Sequence, residues 1–506
     1  MKQLFLIRWI SGPEVRYWFI LAVSLAVQTA FMAAVPAQMS EPPAAPRELR
    51  GVWVATLDNI DWPSKKGLST DEQQSEVIRI LELLQQLKLN AVILQVRSAA
   101  DAIYPTPLEP WSVSLTGQQG RGPSPAYDPL KFWIKEAHAR GIELHAWLNP
   151  CRAHIGTSPP VGSHISRQHP ELVKSYGKFL WLDPGEPAAM DRTIAVLEDL
   201  LQRYDLDAVH IDDYFYPYPI QSGDRDLPFP DDTSWNRYLQ TGGKLSRADW
   251  RRENVNQLVQ RIHTTVRRMK PQIRFGISPF GIGRPGTAPG ISGFDQYAGI
   301  YADPALWLRN GWCDYFSPQL YWSVDQKAQS FPVLLDYWKS EAPASTCVWP
   351  GLFTSRLDDE KRPYDAAEIV KQIRICRDRV QLPGHLHFSL RALQKNSQGI
   401  QEALKTSVYA EHALVPPFPS LQSKSPPAPS IRLSRTPEGA AIEFSPSVSE
   451  PPFVYALWTL QQGGWTFQTH PGVSPQFRLS STTRAVVVSA VSRQGLESKR
   501  ERLEIP

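Results

Sequence analysis

The chain has 506 residues, 42% of them hydrophobic, and 54 Lys and Arg against 50 Asp and Glu for a formal net charge of +4. That length holds one large domain and a smaller one with a genuine core, while the near-balanced charge and the lack of a basic block exclude nucleic acid as a partner class. The 17 Trp are a high complement for this length; at exposed sites Trp and Tyr suit flat, partly apolar ligands such as sugar rings, ordinary core packing being the alternative for each one.

The chain starts with Lys2, Arg8 and Arg16, then an apolar run from Tyr17 to Val35, then Val35-Pro36-Ala37. This is the charged, apolar, small-residue order of an export signal, expected to end near Ala37, with an uncleaved membrane anchor as the alternative. A Pro-rich linker, residues 38–47, follows. From there strands and helices alternate. Residues 50–56 read as a strand, 71–88 as a helix with Val77, Ile80, Leu81, Leu84 and Leu87 on one face, and 90–97 as the second strand. A long loop, 98–125, precedes a helix over 128–140 stopped by Gly141, and the third strand covers 142–149.

The same rhythm gives helices over 187–204, 249–270, 304–310, 331–341 and 365–379. Strands are expected at 207–212, 274–279, 315–322, 346–350 and 385–390. Eight strands alternating with helices predict a (β/α)8 TIM barrel over residues 48–414. An open doubly wound sheet would want a Gly-rich nucleotide turn, and none is present. Residues 415–430 form a Pro-rich linker. Residues 431–506 alternate in short segments around a Gly463-Gly464 turn and predict a small C-terminal β-sandwich of fibronectin type III character.

The fourth strand ends Val209-His210-Ile211-Asp212-Asp213-Tyr214. Side chains alternate on a strand, so Val209 and Ile211 face the helices while His210 and Asp212 face a polar interior or mouth. The same parity predicts inward Gln95 and Arg97, His145 and Asn149, Gln319 and Tyr321, and His387 and Ser389. Apolar neighbours, including Leu386 and Phe388, would face the helices. Polar strand ends agreeing at this parity mark a pocket at the C-terminal mouth. The four cysteines, Cys151, Cys313, Cys347 and Cys376, are widely spaced without a Cys-x-x-Cys pair, which argues against a zinc knuckle; export permits a disulfide that spacing does not assign.

Motifs along the barrel resemble those of the glycosyl-hydrolase-like 10 family of bacterial envelopes. They are Arg50-Gly51-Val52-Trp53-Val54-Ala55-Thr56, Asn59-Ile60-Asp61-Trp62-Pro63-Ser64, Gln95-Val96-Arg97 and Leu108-Glu109-Pro110-Trp111-Ser112. Glu143 to Pro150, His210 to Pro217, Gly276 to Gly281 and Pro318-Gln319-Leu320-Tyr321-Trp322 continue the series. Cys151, where an aromatic is usual, and Gly283, where Trp often precedes Arg284, depart from the pattern. The resemblance implies a TIM-barrel glycosidase without a cofactor, and, by likeness to an enterobacterial member, a peptidoglycan substrate stripped of stem peptides.

Asp207-Ala208-Val209-His210-Ile211-Asp212 also resembles the fourth-strand motif of family 18 chitinases, which use the substrate's acetamido group as nucleophile. The Glu acid of that motif is replaced by Tyr214 here. Asp212 is therefore the expected essential carboxylate, and Asp213 the acid or a supporting charge. A partner carboxylate elsewhere would come from Asp58, Asp61, Asp101, Glu109 or Asp325. Asp58, Trp62, Arg97, His145, Trp147, Asn149, His210, Tyr214, Gln319 and Tyr321 are the expected substrate-binding residues; His145 and His210 have the alternative of being bonded core histidines. Two other classes stay open: a metal-dependent deacetylase using His145, His210, Asp212 and His387, whose spacing fits no standard metal motif, and a non-catalytic glycan-binding envelope protein.

Overall fold

The computed structural model describes residues 41–506 apart from 157, 419, 422–423, 437–438 and 446–450. The expected export segment, residues 1–37, lies outside the described residues. Residues 45–506 form one compact unit.

Parallel strands β1 (Leu49–Val54), β2 (Ala91–Arg97), β3 (Glu143–Leu148), β4 (Ala208–Ile211), β5 (Arg274–Ile277) and β6 (Tyr315–Phe316) pair in sequence order. The seventh stave, β7, is broken by Pro350 into Cys347–Val348, which pairs with β6, and Gly351–Leu352, which pairs with β8 (Gly384–His387). Strand β8 pairs with β1, and bonds from Gly351 to Pro318 and from Leu320 to Gly351 (2.9 and 3.2 Å) carry β6 past the break. The sheet therefore closes on itself. The sixth strand is shorter than expected because Pro318, which lacks an N–H, interrupts the ladder.

The intervening helices are α1 (Thr70–Gln86), α2 (Pro129–His138), α3 (Pro187–Arg203), α4 (Arg247–Met269), α5 (Pro304–Arg309), α6 (Phe331–Glu341) and α7 (Ala366–Arg379). Their starts follow from local chemistry. Ser69 and Glu72 form a capping box at α1, and Asp128, Ser246, Asp303 and Asp365 accept backbone N–H groups at α2, α4, α5 and α7. Apolar faces such as Val77, Ile80, Leu81 and Leu84 then cover the outward strand residues Val52, Val92, Leu94, Leu144, Val209, Ile211 and Phe316.

The strand interior holds a second set: Trp53, Ala55, Ala91, Ile93, Trp147, Ala208, Tyr315, Trp349 and Leu386. Gly276 leaves room for one of them, since a Cβ there would sit 1.9 Å from the Tyr315 ring. The parity of β8 is opposite to expectation. Leu386 faces the interior, and His387 faces outward, bonded to Tyr409 and Thr354 (both 2.8 Å).

The Pro-rich connector lies against the barrel, with Val415, Phe418 and Leu421 buried in the interior cluster at its amino-terminal end. Beyond it, a three-stranded antiparallel sheet of β9 (Ser430–Thr436), β10 (Gly439–Ser445) and Gln476–Arg478 faces a four-stranded one. The latter contains Val454–Gln461, Gly464–Pro471, Ala485–Val491 and Glu501–Glu504. Ile442, Phe444, Tyr455, Leu457, Val486 and Val488 fill the space between. All four cysteines are buried and free.

Candidate active site

Strand β4 ends at Ile211, so the two carboxylates after it are released from strand alternation. Both Asp212 and Asp213 line one cleft at the carboxyl-terminal mouth, with Trp53, Ala55, Gln95, Trp147, Arg152, Tyr214, Ser278, Gln319, Tyr321 and Phe388. The cleft encloses about 130 Å³. That is below the roughly 300–1,000 Å³ of pockets that enclose a drug-sized ligand, so the cleft has room for a small group only.

Each carboxylate has its own donors. Trp147 Nε1 donates to Asp212 Oδ2 (2.9 Å), and Asn149 Nδ2 reaches both Asp212 oxygens (3.2 Å each). The Asn149 amide is oriented from its other side, where its Oδ1 accepts the Arg152 backbone N–H (2.8 Å). Burial pushes the Asp212 carboxyl up to about 7, reinforced by the charge of Asp213 and opposed by Arg152, Trp147 and Asn149. Asp213 is also raised, again chiefly by burial; the Tyr218 hydroxyl donates to it and Gln319 bonds it, both favouring its ionised form.

Beneath the cleft a polar column descends the barrel axis. Trp53 Nε1 and the Ser278 hydroxyl meet His210 Nε2 (3.3 and 2.9 Å). An indole N–H only donates, so Nε2 accepts and Nδ1–H donates to the Tyr315 hydroxyl (2.9 Å). Tyr315 in turn meets His145 Nδ1 (2.9 Å), and His145 Nε2 meets Glu143 (3.1 Å), itself paired bidentately with Arg274 (2.7 Å twice). Burial holds both histidines below their ordinary value, and therefore neutral.

The structure sorts the expected site residues. Trp147, Tyr214, Gln319 and Tyr321 line the cleft with the two aspartates. Asn149 stands behind Asp212 as its donor. His145 and His210 are core histidines of the column, which is their alternative reading. Three expectations fail. Trp62 is fully buried, its Nε1 on the Gln73 carbonyl (3.3 Å) and its ring against Trp133 (5.5 Å), because the chain after β1 turns back under α1. Arg97 is buried in an ion pair with Glu109 (2.6 Å) and on the Asn149 carbonyl (2.5 Å), which uses its donors inside the protein. Asp58 is exposed at a left-handed turn (φ 50°), and its neighbours Leu57 and Ile60 line the cleft instead.

The candidate partner carboxylates are elsewhere as well. Asp61 accepts from Ala55, Ser389 and Arg391, Asp101 from Ser98, and Asp325 pairs with Lys371 at the surface. His145, His210, Asp212 and His387 do not converge, and among the described residues no group of three His, Cys, Asp or Glu is placed to hold a metal. Arg152, Tyr218, Trp53 and Phe388 were missed. The inward parity of Trp53 was legible beside Ala55. Arg152 and Phe388 were not, one lying on an excursion after β3 and the other on a strand of inverted parity.

A closed parallel barrel carrying adjacent carboxylates in an aromatic cleft at its carboxyl-terminal mouth defines the architecture of a barrel glycoside hydrolase. The family model for glycosyl hydrolase-like 10 matches residues 48–364, and the chain belongs to that family of glycoside hydrolases. It is 41% identical over 423 residues to glycosyl hydrolase YngK of Bacillus subtilis (strain 168), covering 81% of this chain and 80% of that protein. It is 33% identical over 344 residues to glycosyl hydrolase DigH of Escherichia coli (strain K12), covering 63% of this chain and 76% of the relative. Among solved structures, the PgaB (BpsB) glycoside hydrolase domain from Bordetella bronchiseptica aligns with TM-score 0.46 and 14% identity, over 71% of this chain and 98% of that one. The catalytic domain of β-amylase from Paenibacillus polymyxa aligns with TM-score 0.48 and 11% identity, over 73% and 99%.

Proposed function

We propose that this chain is an exported hydrolase of N-acetylated cell-wall glycan, acting on peptidoglycan strands that lack stem peptides. The observation that carries the reading is the pair Asp212 and Asp213 in one buried aromatic cleft. Among the described residues, none of Asp58, Asp61, Asp101, Glu109 or Asp325 lines that cleft. With no carboxylate across the ring, the nucleophile comes from the substrate's own acetamido group. Its oxygen forms a bond to the anomeric carbon as the bond from that carbon to the leaving oxygen breaks, and Asp213 gives its proton to the leaving oxygen.

Asp212, held by Trp147 and Asn149, accepts the acetamido N–H and stabilises the oxazolinium charge. A base titrating near neutrality suits that task, and such electrostatic stabilisation is worth about 3 kcal/mol. Water then opens the oxazolinium, with Asp213 taking its proton, so the anomeric configuration is retained. Trp147, Tyr214 and Tyr321 offer ring faces, and Gln319 a hydrogen-bonding amide, to the sugar. The N-terminal charged and apolar segment supports export to the periplasm or envelope, as a cleaved signal or a membrane anchor. The C-terminal sheets read as a fibronectin type III-like module for wall contact.

The test compares purified glycan strands before and after amidase treatment, and again after de-N-acetylation. Cleavage of stripped strands with retention, abolished in Asp212→Asn, is expected. Equal cleavage of peptide-bearing strands refutes the specificity, and undiminished cleavage of de-N-acetylated strands refutes acetamido participation. A protein that binds stripped strands and cuts none would be a glycan-binding module instead.

A further inference from the structure

Among the described residues lining the cleft, Arg152 is the one basic side chain. It opens an antiparallel flap of Arg152–Ile155, Val173–Tyr176 and Phe179–Leu182 that sequence periodicity did not reveal. The side chain is only 3% exposed and firmly held. Its Nε donates to the Ser98 carbonyl (3.0 Å), its guanidinium lies over the Tyr214 ring (4.6 Å to the centroid) and bonds that side chain, and its backbone is fixed by Asn149.

What it lacks is an anion of its own. Asp212 and Asp213 act on it through space, yet neither is within ion-pair distance among the described residues. The oxygens of Asp212 are engaged by Trp147 and Asn149, and Asp213 is engaged by Tyr218 and Gln319. A buried guanidinium is costly to keep unpaired, and its planar fork matches a carboxylate better than any neutral sugar hydroxyl.

We propose that Arg152 is a specificity-determining residue that receives a carboxylate carried by the sugar seated in the cleft. The inference rests on the glycan-hydrolase reading above and deepens it. One source of that carboxylate is the lactyl group of muramic acid, which is anionic once the stem peptide is gone and a neutral amide while the peptide is attached. Selection of stripped strands then has an electrostatic basis. The other source is a uronic acid ring.

The experiment measures kcat/KM on four substrates: amidase-stripped glycan strands, the same strands with lactyl carboxyls methyl-esterified, neutral chitooligosaccharides, and a polymer alternating N-acetylglucosamine with glucuronate. Stripped strands should exceed the ester and the chitooligosaccharides at least tenfold. Arg152→Gln should lower that ratio toward one, and Arg152→Lys should keep part of it, as a point charge without the fork. A ratio near one in the unmodified enzyme overturns the proposal, whether or not the variants fold. So does Arg152→Gln lowering all substrates by the same factor, which is the signature of an effect through Asp212 alone. Preference for the glucuronate polymer supports carboxylate recognition and assigns its source to a uronate. Cleavage of chitooligosaccharides without preference leaves the glycosidase reading intact and removes only this inference, whereas cleavage of none of the four overturns both.

Discussion

Replacing Trp147 with Phe removes one donor from Asp212 while keeping an aromatic face in the cleft. The lost bond is a 2.9 Å N–H···O contact to a carboxylate with a raised pKa. Hydrogen bonds to charged groups contribute about 1.5–3 kcal/mol, and one pH unit corresponds to about 1.4 kcal/mol. The donor favours the ionised form, so its loss moves the acid limb of the kcat profile upward, by roughly one to two pH units. In the native protein Asp212 titrates at about 7 and is half ionised at neutral pH. The shift leaves between about one tenth and one hundredth ionised, a roughly five- to fiftyfold loss of kcat at pH 7. Most of that loss should return by pH 9. The assay is reducing-end release from stripped glycan strands between pH 5 and 9, with kcat separated from KM because the indole also lines the cleft. The limb belongs to the Asp212–Asp213 pair as a whole. A variant whose kcat falls equally at all pH values, with the limb unmoved, refutes the idea that ionised Asp212 sets the rate.

Further outcomes follow from the same contacts. A carboxyl whose folded pKa is raised from 3.8 to about 7 stabilises the fold fully below pH 4, and that contribution is lost as pH rises to 7, a change of about 4 kcal/mol. Urea unfolding at pH 4 and pH 7 should therefore show a smaller pH dependence in Asp212→Asn than in the native protein, alongside its loss of activity. Tyr218→Phe takes a donor from Asp213 and should lower kcat about tenfold, as one charge-assisted bond predicts, with KM little changed by initial-rate measurement. Tyr315→Phe leaves the facing nitrogens of His145 and His210 without their shared hydroxyl and should cost about 2 kcal/mol in urea unfolding. Glu109→Gln strands the buried Arg97 charge and should cost about 3–5 kcal/mol; a selective rise in KM without loss of stability would restore Arg97 to substrate binding.

Much of this molecule was decided within a few residues of sequence. Val209 and Ile211 alternate with His210, and that parity turns the apolar pair to the helices and the polar side of the strand to the interior, with Asp212 following just past its end. Ser69, Asp128, Ser246 and Asp365 start their helices through bonds reaching two or three residues ahead. The alternation of such strands and helices called for a parallel α/β sheet, and the lack of a Gly-rich nucleotide turn favoured its closed form over an open one. Asp212 was legible as the candidate centre from the polar side of its strand, as were Trp147, Gln319 and Tyr321, whereas Asp213 followed only from its place beside Asp212.

Tertiary structure decided what alternation leaves open: which face is the interior and which partner meets each polar group. On β8 the pattern offered two faces, and Tyr409, brought alongside by a later helical segment, drew His387 outward and left Leu386 and Phe388 to the interior. Arg97 and Trp62 carried the residue types of a sugar site, but Glu109 and Trp133 reach them across loops and helices and bury them. Asp212 and Asp213 are adjacent in sequence and share a cleft only because the strand stops at Ile211. The shift of Asp212 toward neutrality belongs to the folded state in the same way. It comes from removing the carboxyl from water and placing the charge of Asp213 beside it, against the opposing pull of Arg152, and burial of that kind exists only once distant strands have closed.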